Sequence, residues 1–168
     1  IDLPGHGESK GSSSNSIEYY GQFLIKALEP YELKDLSLCG HSMGGLIALD
    51  MVLNHNFAAK ELILVNSIYP TRVADALLAK AKVGNGGAAN FIIKYGLYRR
   101  LLGMRNAFSE ADDLVMLDDL DACNNYELDL NDIKNTEIPI SIILGSKDRL
   151  VDLKAVENFT DIVPSQTY

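Results

Sequence analysis

Hydrophobic positions fall into two rhythms along this chain. Three short, nearly continuous apolar runs read as strands: Leu36 to Cys39, Glu61 to Asn66 (ELILVN) and Ile138 to Gly145 (IPISIILG). The middle run is apolar at consecutive positions, which suits a sheet covered on both faces. Ile1 to Leu3 read as the last residues of a further strand, followed by a Gly- and Ser-rich loop from Pro4 to Asn15. Between these runs the apolar period lengthens. Ser16 to Leu28 reads as a helix: Ser16 is a candidate N-cap, and Tyr20, Phe23, Leu24, Ala27 and Leu28 recur at helical spacing before Pro30. Gly44 to His55 reads as a helix that is apolar nearly all round, hence deeply buried. Lys154 to Ile162 reads as one more short helix.

From Pro70 to about Pro139 strand patterns vanish. ADALLAKAKV, AANFIIKYGLYRRLLGM and SEADDLVMLDDLDACNNY read as successive helices, parted by Gly84 to Gly87 and by Asn106 to Ser109. The order strand, helix, strand, helical insert, strand, helix indicates a parallel α/β sheet. Residues 1–69 and 138–168 then form the α/β core, and residues 70–137 the helical insertion. Phe91, Ile92, Tyr95, Leu97, Leu101 and Met104 recur at helical spacing in the insert. They read as its own core or its seat on the sheet before they read as substrate contacts.

Composition narrows the picture. Hydrophobic residues make up 47% and charged residues 23% of 168, an ordinary globular balance for one domain. The formal charge of −8 argues against nucleic acid, which needs a basic face. No apolar run approaches the roughly 18 residues of a membrane span, and no signal-peptide pattern opens the chain. Cys39 and Cys123 form no disulfide framework; Cys39, ending an apolar strand, reads as a small core residue, and the default setting is reducing and cytoplasmic. No cofactor or metal motif is present. GHGESKG lacks dinucleotide-fingerprint spacing and GHSMGG lacks the P-loop lysine. The run Asp112, Asp113, Asp118, Asp119, Asp121 lacks the spacing of a calcium loop and reads as a solvated helix face.

The candidate chemistry sits at Gly40-His41-Ser42-Met43-Gly44, between a strand and a helix. Gly-x-Ser-x-Gly in that context is the nucleophile-elbow pattern. Side chains two residues before and after the serine would collide with backbone, so Gly40 and Gly44 are expected there, and Gly45 allows close packing of helix on sheet. Backbone strain would push the Ser42 hydroxyl clear at a helix N-terminus, where the dipole favours negative charge. The Met43 N–H would donate to an oxyanion. The plainer alternative is a glycine-rich turn whose serine is an N-cap.

With these motifs the chain resembles the α/β-hydrolase superfamily of serine esterases and lipases with a helical cap. DLPGHGES (Asp2 to Ser9) resembles the loop after the family's fourth strand, and IPISIILGSKDRLV resembles the strand ending at the triad acid. The resemblance implies a mostly parallel sheet of the α/β-hydrolase type, present in part, with residues 70–137 as the cap. It implies Ser42 as nucleophile and Asp148 as acid, with Asp152 as local rival. It also implies that the base lies beyond Tyr168 and the second oxyanion donor before Ile1. None of the three histidines, His6, His41 and His55, matches the base. His41 reads as structural or pocket-lining within the elbow, and His55 as an ordinary helix-end residue. The chain thus reads as an internal piece of a longer hydrolase, with little turnover expected of it alone. The partner implied is a small acyl or ester substrate. The alternatives are an inactive binding or receptor-like protein on the same fold, or a lyase with the same triad.

Overall fold

The computed structural model describes residues 1–97 and 111–163. Three parallel strands form one sheet in the order β1 (Ser37–His41), β2 (Glu61–Val65), β3 (Ile140–Ile143). The register pairs Cys39 with Ile63 and Ile63 with Ser141, and His41 with Val65 and Val65 with Ile143. All three strands therefore end together at one carboxyl edge.

Around the sheet, α1 (Ile17–Leu28) packs on α2 (Met43–Leu53), and α2 lies against β1 and β2. Ser16 caps α1 as expected, its hydroxyl accepting the Tyr19 N–H at 3.1 Å. Ile17, Tyr20 and Gly21 are the buried face of α1, and Gly45 to Val52 of α2 are buried throughout. Between β2 and β3 the described residues form four helices: α3 (Asp75–Val83), α4 (Gly87–Tyr95), α5 (Asp113–Asn125) and α6 (Leu130–Asn135). The short α6 was not legible as a helix; Asp129 caps it by accepting the Asn131 N–H at 2.8 Å. After β3 comes α7 (Leu153–Ile162), which puts Phe159 into the main core.

That core is one apolar layer between the helices and a single sheet face. Leu62, Leu64, Ile140 and Ile142 are buried, while their neighbours Ile63, Val65 and Ser141 are half-buried and Ile143 is exposed. The expectation of two covered faces is therefore not met among the described residues. Cys39 is corrected with it: the thiol is exposed, because strand alternation puts it on the face opposite Gly40 and α2. Cys123 on α5 is the buried cysteine, and burial pushes its thiol up to about 12. Residues 1–3 form no strand; the Leu3 carbonyl accepts the His6 N–H in a turn at 2.9 Å instead of a ladder bond.

A second, smaller core joins Leu77, Ala81 and Ala88 with Phe91, Ile92, Met116, Leu117 and Leu120. Phe91 and Ile92 thus pack within the helical segment, as the plainer reading of the apolar stripe has it. Leu101 and Met104 lie outside the described residues.

The acidic run of α5 is not a solvated face. Asp119 accepts the Tyr20 hydroxyl at 2.9 Å and lies 2.8 Å from His6 Nε2, while Ser13 donates to Asp118 at 2.5 Å. Asp113 accepts the Gly86 N–H, and Asp112 caps α5. Two of the five aspartates therefore tie α5 to the Gly- and Ser-rich loop and α1. That loop is itself held: Asp2 accepts the Glu8 N–H at 3.0 Å, and a Cβ on Gly7 would strike the Asp2 carboxylate.

Candidate active site

The carboxyl edge of the sheet carries both residues assigned to chemistry. At the end of β1 the Ser42 N–H donates to the Val65 carbonyl at 3.0 Å, extending the ladder by one bond. The chain then turns at Ser42, with φ 52° and ψ −121°, and enters α2. This is a conformation L residues rarely adopt. Ser42 occupies the N-cap position, yet its side chain makes no capping hydrogen bond and the residue is exposed. The side chain therefore does not cap α2. The hydroxyl is left at the positive end of a helix. The Gly45 N–H is taken by the Ser42 carbonyl at 2.9 Å, whereas the first N–H groups of a helix, here Met43 and Gly44, have no partner in their own helix.

The glycines divide differently from expectation. A Cβ on Gly40 would overlap the Gly44 carbonyl and the Gly45 nitrogen, so Gly40 is required where the strand passes under the first turn of α2. A Cβ on Gly45 would lie 2.5 Å from the Ser67 Cβ, which is the close helix–sheet approach. Gly44 is corrected: a Cβ there meets nothing within 4 Å, because it points away from the sheet into open space.

Two strands away, Asp148 follows β3. The Gly145 carbonyl accepts the Asp148 N–H at 2.9 Å, closing a turn, and Asp148 Oδ1 accepts the Leu150 N–H at 2.7 Å. Oδ2 makes no hydrogen bond among the described residues. The local rival Asp152 is committed elsewhere, capping α7 through the Lys154 N–H at 2.9 Å. An open cleft of about 300 Å³ is lined by Asn66, Gly96, Gly145, Ser146, Lys147 and Asp148. It includes the acid loop but neither Ser42 nor Met43, which stand on the same edge one strand beyond Asn66. Sequence reading passed over Asn66; its signal was a lone amide ending an apolar strand, opposite the loop that carries the acid.

The histidines are placed elsewhere. His6 Nδ1 lies 3.1 Å from the Pro4 carbonyl and Nε2 faces Asp119. His41 is the exposed last residue of β1. His55, read as an ordinary helix-end residue, lies 3.2 Å from Asp50, whose side chain is 0% exposed. Asp50 also accepts Asn54 Nδ2 at 2.8 Å and the Tyr126 hydroxyl at 3.3 Å. Burial raises the Asp50 carboxyl above its usual range against the pull of Asn54 and His55. Asp119 is likewise raised by burial, against His6. Both acids serve structure, at positions away from the elbow. Among the described residues no group of His, Cys, Asp and Glu is arranged to hold a metal ion, and no helix is long and apolar enough to cross a membrane.

Parallel strands with covering helices, and a serine in a left-handed corner at their carboxyl edge, define an α/β protein with a tight strand-to-helix turn. A family model described as the alpha/beta hydrolase family matches residues 1–165, and the chain belongs to that family. It is 26% identical over 177 residues to a Mycoplasma pneumoniae protein provisionally named esterase/lipase 2, covering 92% of this chain and 62% of that protein. The chain thus spans less than two thirds of the length of the curated relatives it matches. Among solved structures it resembles a thermophilic esterase, with a TM-score of 0.86 at 26% identity over 99% of this chain and 68% of the other. An esterase from Exiguobacterium antarcticum shares the fold, with a TM-score of 0.85 at 19% identity over 99% of this chain and 70% of the other.

Proposed function

We propose that this chain supplies the nucleophile and the acid of a serine hydrolase acting on a small ester or related acyl compound. The observation that carries the reading is Ser42: a non-glycine residue at φ 52°, exposed, uncapped, and at the N-terminus of a buried helix. In this reading Ser42 Oγ attacks the substrate carbonyl carbon while an imidazole removes its proton. The tetrahedral oxyanion is received by the Met43 N–H and the positive end of α2. Collapse breaks the bond to the alcohol, which leaves with that proton, and water then releases the acid by the same route. Asp148 holds the imidazole in the required tautomer through its unoccupied Oδ2 and favours the charged ring. The base is none of this chain's three histidines, since His6 and His55 are engaged by Asp119 and Asp50 and His41 sits within β1.

Residues 70–137 act as the cap in this reading, and residues 1–69 and 138–168 as the core. The cap rests on the core through Asp118 and Asp119, and its α4 ends against the acid loop, where a Cβ on Gly96 would lie 2.7 Å from Leu150 Cδ1.

The test is hydrolysis of p-nitrophenyl acetate by the full-length protein that contains this chain, alone and as Ser42→Ala and Asp148→Asn. Both substitutions are expected to lower kcat by a thousandfold or more, on the order of losses seen on removing triad members. Turnover that survives Ser42→Ala overturns the nucleophile. A full-length protein that binds acyl compounds without turning them over favours a binding protein on the same fold.

A further inference from the structure

We infer that Asn66 is the positioning residue of the acid loop, an inference that rests on Asp148 being the triad acid. Asn66 follows β2 and adopts φ 44°, a left-handed conformation that asparagine tolerates better than most residues. From there it grips the chain after β3 at two points. Its backbone N–H donates to the Ile143 carbonyl at 2.8 Å, and its side-chain Oδ1 accepts the Gly145 N–H at 2.7 Å. The first bond extends the ladder between the strands. The second lies beyond the ladder, where a parallel sheet ordinarily lets its loops diverge.

The grip is passed on to the carboxylate. Gly145, held by Asn66, accepts the Asp148 N–H through its carbonyl, and Asp148 Oδ1 then accepts the Leu150 N–H. Three consecutive hydrogen bonds therefore set the Asp148 carboxylate relative to β2, and through the β1–β2 register relative to Ser42. Contact distances agree. A Cβ on Gly145 would lie 3.4 Å from Asn66 Nδ2 and 3.8 Å from the Asp148 Cβ, so the three residues sit in van der Waals reach of one another. Asn66 is half-buried and contributes nothing to either apolar core. Its amide lines the same cleft as Asp148. A group that holds an acid without touching the reacting atoms acts through orientation, and a misplacement of about 1 Å at a catalytic group costs on the order of a hundredfold in rate.

The test uses the full-length protein. Asn66→Gly keeps the left-handed backbone without strain and removes the side-chain amide with its acceptor; Asn66→Asp keeps the acceptor. Asn66→Gly is expected to lower kcat on p-nitrophenyl acetate by about tenfold or more with KM unchanged. The acidic limb of its kcat/KM profile is expected to move to lower pH, because a displaced carboxylate no longer favours the charged imidazole. Asn66→Asp is expected to retain the larger part of kcat. Rates are taken per site titrated with a fluorophosphonate, which counts only folded, reactive enzyme. Asn66→Gly with unchanged kcat and pH profile overturns the inference. So does a loss confined to the number of titratable sites, which assigns Asn66 to folding alone. If Asp148→Asn itself leaves turnover intact, the acid assignment fails first and this inference falls with it.

Discussion

Replacing Ser42 with alanine and, separately, with glycine measures the strain stored in the corner. Both variants lack the hydroxyl, and neither disturbs the two backbone hydrogen bonds that frame the turn, Ser42 N–H to Val65 and Gly45 N–H to Ser42. The residue is exposed, so little packing is lost in either. The difference between them is the cost of a Cβ at φ 52°, ψ −121°. These angles are nearly the mirror image of the first central residue of a type II turn, a conformation glycine enters freely. Holding a non-glycine residue in such a region costs about 1–3 kcal/mol. Glycine returns part of this, about 0.4–1 kcal/mol, through the greater freedom of its unfolded chain. The net expectation is that Ser42→Gly is more stable than Ser42→Ala by about 1–2 kcal/mol. For a chain of this size that is a rise in Tm of roughly 3–6 °C. Urea unfolding followed by circular dichroism gives the free energies, with equal m-values as the check that only stability has changed. If alanine is as stable as glycine, the backbone at residue 42 is not under strain and the physical case for a nucleophilic elbow is lost.

Three further predictions follow from the packing and the buried acids. Gly45→Ala is expected to cost about 1–3 kcal/mol in chemical denaturation, with Ser67→Gly recovering part of it in the double variant, since the added methyl would strike the buried Ser67 side chain. Asp119→Ala leaves His6 and the Tyr20 hydroxyl without their acceptor; a loss of about 1–3 kcal/mol and faster hydrogen exchange along α5 are expected. Burial raises the folded-state Asp50 carboxyl above its unfolded value, so the stability it contributes is complete below the unfolded value and is lost as pH rises through the folded one. Asp50→Asn retains an acceptor for Asn54 and Tyr126, and is expected to gain on the wild type as pH rises from 3 to 7; urea midpoints of the two proteins across that range check the sign.

What could be read in the sequence was what neighbouring residues decide among themselves. Strand and helix order followed from local apolar period, and the tight strand-to-helix corner at Ser42 from five consecutive residues. Features set by distant partners were hidden. Asp118 and Asp119 look like solvent-facing acids of a polar helix until Ser13, His6 and Tyr20, about 100 residues earlier, meet them. The apolar run Glu61–Val65 does not disclose that only Leu62 and Leu64 face helices. Cys39 was misread for the same reason, since a strand's apolar character does not say which of its faces is covered. Asp50 stands in an otherwise apolar helix, and nothing in the chain announces that Gly21 opens the space for its carboxylate, where a Cβ would lie 2.5 Å from Oδ2.

These polar ties bear on how the helical insert is held. Among the described residues the insert joins the main core through Ala122, Cys123, Tyr126, Leu128 and Ile133, and meets the rest of the chain by further contacts on two sides. On one side, α5 is fixed by charge-assisted hydrogen bonds to the loop before α1, and Tyr69, just past β2, reinforces this by exchanging two hydrogen bonds with Leu128 at 2.6 and 3.0 Å. On the other side, α4 ends at Gly96 against the Leu150 side chain, an apolar contact with the loop that carries Asp148. Hydrogen bonds are directional, whereas the contact of Leu150 with Gly96 is apolar and has no directional component. Leu150 is bonded through its N–H to Asp148 Oδ1, so a shift of Leu150 would be felt at that carboxylate. In the positioning role proposed for it, Asn66 opposes such a shift, because it ties the same loop to the end of β2.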